Sequence, residues 1–299
     1  MNNETDENKN IVKVFLTGFI RLRGVVNWSA LSFMGFILGM SSLDLSSYVL
    51  PFSVFVVTIF CILSFTFGIN NYYDIDSDRK NPRRKHINAM ASGKISKQTG
   101  LAINLIFFII PLVISILFKL EVFLLCVVFL FWMWAYSAPP LRLKGRPVVD
   151  IIWHFFAFVL LIIWGSFIAG SVGIINWLVA ISLGIFSCID QVDNHISDYS
   201  FDKNTGTTTY AVWVGLDTAK TTLKMIIILH TIFLIPLILL YSLSYISTIL
   251  IISGGAVIGI FLAKSKKDSP VSSLYYFSAV FGVAVYLSCI VYHINILLG

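Results

Sequence analysis

Asn70-Asn71-Tyr72-Tyr73-Asp74-Ile75-Asp76-Ser77-Asp78 and Asn194-His195-Ile196-Ser197-Asp198-Tyr199-Ser200-Phe201-Asp202 are the two stretches that decide how this chain is read. Both carry Asn-x3-Asp-x3-Asp. Spacing of i, i+4 and i+8 puts the three side chains on one stripe of a helix. The hydrophobic run ahead of the first stripe continues to Ile69, so this stripe emerges from the end of an apolar helix. A helix C-terminus carries partial negative charge, which disfavours carboxylates there unless a cation compensates. Carboxylates are also costly in or near hydrocarbon, so two such stripes at helix ends mark a functional site. Oxygen ligands of this kind suit Mg²⁺, which takes one or two carboxylates and fills its remaining positions with water and substrate phosphate. The metal candidates are therefore Asn70, Asp74, Asp78, Asn194, Asp198 and Asp202.

The rest of the chain supports a membrane setting. Of 299 residues, 58% are hydrophobic and only 12% charged, about half the charged share of an ordinary soluble protein. Apolar runs long enough to span a bilayer fall at Val25–Leu43, Tyr48–Ile69, Leu101–Phe118, Val122–Tyr136, Ile151–Gly170, Ile174–Cys188, Met225–Tyr241, Ile246–Ala263 and Leu274–Leu298. This predicts an all-α polytopic membrane protein with nine transmembrane helices. The fourth and sixth runs are short and extend into their flanks. Of the 21 Lys and Arg residues, all but Lys119 lie in the N-terminal arm or in the loops after helices two, four, six and eight. The positive-inside rule then puts the N-terminus and both acidic stripes on the cytoplasmic side and the C-terminus outside. The same rule accounts for the net charge of +6, with no nucleic acid required. No obligate protein partner is evident.

A single domain over residues 1–299 is expected, with residues 1–24 as a cytoplasmic arm. The start, MNNETDENKN, lacks the basic n-region and cleavage site of a signal peptide, so the first helix should be retained. Cys61, Cys126, Cys188 and Cys289 lie on separate apolar helices without metal or redox spacing, so buried packing is expected. The two long polar stretches, Asn71–Gly100 and Asp190–Thr222, each begin at or beside an acidic stripe. Connections of that length are often functional, and short helices within them should form a cap at the cytoplasmic face. Little else repeats between the halves. Pro111 and Pro236 lie inside spanning helices, where proline is tolerated.

Around the stripes, Asp76 points away from the ligand face, either as a solvated group or as one that supports the ligands from outside. Asp190, four residues before Asn194, either extends the second stripe or faces water. His195 reads as a surface or supporting histidine, since Mg²⁺ prefers oxygen to imidazole. Arg79, Lys80, Arg83, Arg84 and Lys85 follow the first stripe, and Lys94 lies further on. Lys203 follows the second stripe, and Arg142, Lys144 and Arg146 follow helix four. Orientation in the membrane explains most of the run at residues 83–85. Arg79 and Lys203 each directly follow a ligand aspartate, which favours phosphate contact. Tyr136 ends helix four before Pro139-Pro140, either as an interface anchor or as a hydroxyl for a diphosphate.

Taken together, the chain resembles the UbiA superfamily of intramembrane prenyltransferases over nearly its whole length. NNYYDIDSD and NHISDYSFD resemble the family's two aspartate-rich motifs, YSAPP its turn after helix four, and RLRGVVNW (residues 21–28) the start of its first helix. DSDRKNPRRK and YSAPPLRLKGRP are similar to its carotenoid-elongating branch. Asn71 stands at a second position usually Asp. Asn88-Ala89-Met90 precedes Gly93-Lys94-Ile95-Ser96 where many members have Arg-Pro, which passes that diphosphate contact to Lys94. Gly24 stands where Pro is common.

The resemblance implies transfer of a prenyl group from a polyprenyl diphosphate to a lipophilic or aromatic acceptor, with Mg²⁺ as cofactor. Quinone or lipid biosynthesis is the leading setting, and a carotenoid of lycopene-elongase type or an archaeal ether lipid is the alternative. Asp74, Asp78, Asp198 and Asp202 would be catalytic through Mg²⁺ held between the stripes. Arg79, Lys94, Tyr136, Arg142, Lys144 and Lys203 would meet the diphosphate. Phe65, Trp132 and Trp153 are candidates to shield cationic carbon, beside ordinary packing. His154 and His230, inside apolar helices, stay open between packing and proton transfer. A cation-coupled transporter fits less well, because transporters place coupling residues near the bilayer midplane and here every Asp and Glu falls at a helix end or in a loop. An inactive, scaffold-like relative would not need two intact Asn/Asp sets.

Overall fold

The structure is a computed structural model that describes residues 12–241, Ser253 and residues 270–298. Among these residues every regular element is helical, and eight helices are long and apolar enough to cross a membrane. A π-turn at Phe15–Phe19 precedes α1 (Leu22–Gly39), α2 (Val49–Tyr73), the short α3 (Ile75–Lys80) and α4 (Pro82–Lys85), then α5 (Lys97–Phe118) and α6 (Leu120–Ser137). A 3₁₀ turn at Leu143–Gly145 leads to α7 (Pro147–Ala169), α8 (Ile174–Ser197), the short α9 (Tyr199–Thr205) and α10 (Tyr210–Val214), α11 (Leu216–Tyr241) and α12 (Pro270–Leu298). Eight of the nine expected spans have a counterpart; apart from Ser253, the run Ile246–Ala263 lies outside the described residues.

Continuous apolar sequence folds as helix here because hydrocarbon offers no partner for an open backbone group. Local chemistry then sets the ends. Ser96 caps α5, its hydroxyl accepting the Thr99 N–H at 3.0 Å. Pro147 opens α7 at a position that needs no N–H donor. Gly206, at φ 72°, takes the left-handed turn that stops α9. The largest boundary differences are at α8, which runs nine residues past the apolar limit at Cys188, and at α11, which begins nine residues before Met225. Those added turns are mostly polar, so hydropathy stops where the helix does not. The expected short helices within the polar stretches are α3 and α4 in the first and α9 and α10 in the second.

The chain divides into two compact units. One comprises Met1–Phe33 and Ser46–Leu143. In it α2 packs on α5 and α6, and the π-turn closes over the end of α2. Phe19, Ile20, Ile75, Ala89 and Met90 form a buried cluster there.

The other unit comprises Met34–Leu45 and Lys144–Gly299. In it α7 packs on α8, and α11 packs on α8 and α12. Gly35 and Gly39 lie against the backbone at Ile162 and Ser166 so closely that a Cβ at either would collide, a small-x3-small approach typical of helices in lipid. Ser166 secures it by donating from Oγ to the Gly35 carbonyl at 2.9 Å. Further along, Ser182, His230, Ser278 and Tyr286 form a buried polar chain across α8, α11 and α12. His230 Nδ1 lies 2.8 Å from Ser278 Oγ and Nε2 lies 3.0 Å from Tyr286 OH, which in turn lies 2.8 Å from Ser182 Oγ. Both ring nitrogens are thereby engaged, which gives His230 a packing role. The four cysteines are free thiols, three of them buried.

Candidate functional site

Each acidic stripe crosses a helix break that keeps the helical register. α2 ends at Tyr73, and Asp74 adopts φ −96° and ψ 3° before α3 begins. Its N–H still bonds Asn70 O at 3.0 Å, and the Asp78 N–H bonds Asp74 O at 2.8 Å. α8 ends at Ser197, and Asp198 adopts φ −91° and ψ 1° before α9. There the Asp198 N–H bonds Asn194 O and the Asp202 N–H bonds Asp198 O, both at 2.9 Å. Middle aspartates of both motifs thus sit in the same bridge-region conformation, which is sparsely populated and recurrent at active sites. The i, i+4, i+8 alignment survives in each. The final aspartates, Asp78 and Asp202, are buried, whereas Asp198 is exposed. Asp76, which lies off the stripe, is exposed.

Around the first stripe, side chains of the same unit form a tight support. Asn71 is fully buried and donates to the carbonyls of Gly18 and Phe19 at 3.1 and 2.9 Å, while its own oxygen accepts from Arg21. It therefore clamps the start of α1 to the end of α2 and occupies no ligand position. Asn88 is also fully buried. Its Nδ2 donates to Asp78 Oδ2 at 2.9 Å and to Asn71 O at 2.8 Å, and its Oδ1 accepts the N–H groups of Met90 and Ala91. Burial lowers the Arg21 pKa, against the opposing attraction of Asp78 and Asp74. Arg142 Nη2 lies 3.9 Å from Asp74 Oδ1. Arg21 and Arg142 have φ of 51° and 38°, and they are the non-glycine residues with positive φ among those described. Two strained arginines at one motif are the kind of backbone cost that functional sites retain.

The second stripe is supported differently, again from within its own unit. His195, inside the motif, is buried, whereas Asn194 beside it is exposed. Its Nε2 lies 3.0 Å from Asp150 Oδ2. Gln191, one turn earlier, donates to the same oxygen at 2.6 Å. Asp150 belongs to the first turn of α7 and is itself buried, a favourable place for a carboxylate in the helix dipole. His154 Nδ1 lies 2.9 Å from the Asp150 carbonyl and 3.7 Å from Asp150 Oδ1. Asp190 accepts from Tyr275 OH at 2.9 Å, so in this structure it is engaged by α12 and does not lengthen the stripe.

The remaining candidates are placed as follows. Arg79, Lys94 and Lys203 are exposed, and Lys203 Nζ lies 5.7 Å from the Tyr199 ring centroid. Tyr136 is half-buried in the last turn of α6, and Lys144 is half-buried in the 3₁₀ turn before α7. Asn70 is half-buried and Asn194 exposed. Phe65 is buried beside Phe108 at 5.4 Å between ring centroids, Trp153 is buried against His154, and Trp132 is half-buried. Sequence reasoning passed over Asn88, Asp150 and Gln191 as supports of the stripes and took Asn71 only as a lost ligand. A signal existed for one: Gln191 and His195 are themselves an i, i+4 pair beside the acidic stripe.

The donor chemistry of both stripes fits Mg²⁺. All candidate ligands are hard oxygens, carboxylate or amide carbonyl; the first stripe buries both of its carboxylates, Asp74 and Asp78, and the second buries Asp202. Among the described residues no group of three His, Cys, Asp or Glu side chains forms a metal-binding cluster. Mg²⁺ needs only one or two carboxylates beside water and phosphate.

A family model described as the UbiA prenyltransferase family matches residues 27–293. The lycopene elongase/hydratase of Corynebacterium glutamicum is 27% identical over 172 residues, which cover 55% of this chain and 57% of that protein. The chain thus spans little more than half the length of the curated relative it matches. Two solved structures share the fold. A UbiA homolog from Archaeoglobus fulgidus bound to GPP and Mg²⁺ superposes with a TM-score of 0.64 at 24% identity, covering 93% of this chain and 99% of that one. A digeranylgeranylglyceryl phosphate synthase superposes with a TM-score of 0.71 at 18% identity, covering 96% and 99%.

Proposed function

This chain belongs to the UbiA prenyltransferase family, and from that premise we propose that it transfers a prenyl group from a polyprenyl diphosphate to a lipophilic acceptor in a Mg²⁺-dependent reaction. One observation carries the reading: the same oxygen-donor stripe occurs twice, with the same backbone break at its middle aspartate. The A. fulgidus homolog, bound to GPP and Mg²⁺, pairs that ion with an allylic diphosphate on this fold. When bound, Mg²⁺ supplies charge neutralisation for the departing diphosphate.

The chain's own residues do the rest. Asn70, Asp74 and Asp78 in one unit, and Asn194, Asp198 and Asp202 in the other, provide the oxygen ligands. Arg79, Lys94, Tyr136, Arg142, Lys144 and Lys203 bind diphosphate oxygens. As the allylic C–O bond breaks, its electron pair leaves with the diphosphate. A π-bond or hydroxyl of the acceptor then forms the new bond to the prenyl carbon, and a proton leaves the acceptor. Apolar helices exclude water from the cationic carbon. All 299 residues act as one catalytic domain, with the N-terminus and both stripes on the cytoplasmic side and the C-terminus outside.

A second reading of the acceptor has its own support. The relative named lycopene elongase/hydratase points to a long polyene, attacked through a terminal C=C bond, in place of an aromatic ring or a glycerol lipid. Purified protein in vesicles, given Mg²⁺ and a prenyl diphosphate with each acceptor class in turn, tests both. Inorganic diphosphate released together with an acceptor heavier by one prenyl unit is expected. Diphosphate release with no acceptor modified, or no release at all, would sink prenyl transfer. The acceptor that gains mass decides between the two readings.

A further inference from the structure

We infer that Asp150 is a positioning residue that holds the second acidic stripe in register with the Lys144 turn and thereby sets the affinity of that stripe for a divalent cation. This rests on the Mg²⁺-dependent reading above. Asp150 is no member of either motif, yet its Oδ2 receives two contacts from successive turns of α8. Gln191 Nε2 reaches it at 2.6 Å and His195 Nε2 at 3.0 Å. His195 is the residue next to Asn194, and the helix break at Asp198 follows three residues later. On its other side, Asp150 lies in the first turn of α7, with its N–H bonded to Arg146 O at 2.9 Å and the 3₁₀ turn of Lys144 just ahead. One carboxylate oxygen thus links the last turns of α8, where the stripe begins, to the segment carrying a candidate diphosphate cation.

An ordinary helix staple would be expected to saturate its polar atoms, as the His230 chain does on its ring nitrogens. The Asp150 cluster does not. Asp150 Oδ1 and His195 Nδ1 are buried without a hydrogen bond, and such atoms are uncommon enough in folded proteins to need a reason. Apolar side chains would join α7 to α8 without that cost. What they would not do is fix the rotation of the α8 terminus, and so the direction in which Asn194 and Asp198 point. Groups that orient metal ligands from behind change metal affinity roughly ten- to a hundredfold when removed.

The test uses the full chain purified in detergent, with Mn²⁺ as the probe followed by electron paramagnetic resonance. Mg²⁺ half-saturation of diphosphate release serves as a second readout. Asp150→Ala should weaken Mn²⁺ binding and raise the Mg²⁺ half-saturation by about tenfold or more. Asp150→Asn, which keeps an acceptor oxygen of the same shape, should fall between it and the wild type. His195→Ala added to Asp150→Ala should cost less than it does alone, because the two act through one contact. His230→Leu should lower the melting temperature and leave both cation readouts at the wild-type value. If Asp150→Ala does not fold, Asp150→Asn and Gln191→Ala carry the same comparison. Wild-type Mn²⁺ binding in the Asp150 variants, or an equal shift in His230→Leu, overturns the inference. A wild-type protein that binds Mn²⁺ but releases no diphosphate instead overturns the proposed reaction and leaves the binding comparison intact.

Discussion

The two acidic stripes share a backbone and differ in nearly everything that supports it. At Asp74 and at Asp198 the chain leaves the α-helix with almost the same φ and ψ, keeps its i to i−4 bonds and buries the aspartate four residues on. Behind the first stripe stand neutral amides and strained arginines: Asn71, Asn88, Arg21 and Arg142. Behind the second stand a buried carboxylate, an amide and an imidazole: Asp150, Gln191 and His195. A repeated backbone geometry is therefore held in place by two unrelated sets of contacts. The lesson is that the spacing of oxygen donors is what the chemistry constrains, and any set of buried polar partners that secures it will serve. It also explains why little repeats in sequence outside the motifs.

The comparison breaks most readily at the buried aspartates. If both stripes serve the same reaction, Asp78→Ala and Asp202→Ala should each reduce prenyl transfer by about a hundred- to a thousandfold, the range for removing a preorganised electrostatic group. Chelation should match either loss, and added Mg²⁺ should reverse chelation alone. Initial rates of diphosphate release measure this. A variant of one stripe that keeps a tenth of wild-type activity would make that stripe subsidiary, and full activity in chelator would remove the metal from the reaction.

Support is the next place to press. Asn88→Ala takes a donor from buried Asp78 and an acceptor from the Met90 and Ala91 N–H groups. A hydrogen bond to a charged group is worth about 1.5–3 kcal/mol, which corresponds to roughly ten- to a hundredfold in rate if felt in the transition state. The upper part of that range is expected, because Asp78 would be left buried and less well held, and the melting temperature should fall as well. Asn88→Asp should be worse still, since it sets two carboxylates against each other. Wild-type rates in Asn88→Ala would show that the first stripe needs no support from behind.

How much of this was legible in the sequence follows from what each residue signals. Apolar runs announce helices because lipid forces the backbone into them, so eight spans were readable; the ends were less so, since α8 continues for nine mostly polar positions beyond its apolar stretch. The stripes were readable because i, i+4 spacing survives translation into a helix. Their supports were not. Asn71 looks like a missing ligand, and only its buried bonds to Gly18 and Phe19 reveal a clamp. Asp150 lies about 40 residues from its partners in the chain, and nothing local pairs an acid in the first turn of one helix with an amide and a histidine at the end of the next. The proposed membrane face of the stripes rests on loop charge alone. Cysteines placed at Asn81 and Gly173, in a background without native cysteine, should react with an impermeant reagent from opposite sides; labelling of both from one side would break the alternation of loops.

The smallest effect expected separates the two kinds of basic residue that surround such stripes. Lys144 is half-buried in the 3₁₀ turn before α7, six residues ahead of Asp150, whereas Arg84 is exposed on α4 within a basic run that the positive-inside rule would account for by itself. A lysine held in a turn can meet a diphosphate oxygen as a point charge at little further cost in side-chain order. An exposed arginine is screened by water and salt before it reaches anything. Lys144→Ala should therefore lower turnover about tenfold, the lower end of what a lost charge-assisted contact costs. Arg84→Ala should stay within about twofold, as most surface changes do. Lys144→Arg should recover part of the loss, because it restores charge at a position where the reach differs. Rates at saturating Mg²⁺ and matched protein levels decide the matter: equal losses at the two positions, or a larger one at Arg84, would move the diphosphate contact from the Lys144 turn to the basic run and detach it from the second stripe that Asp150 secures.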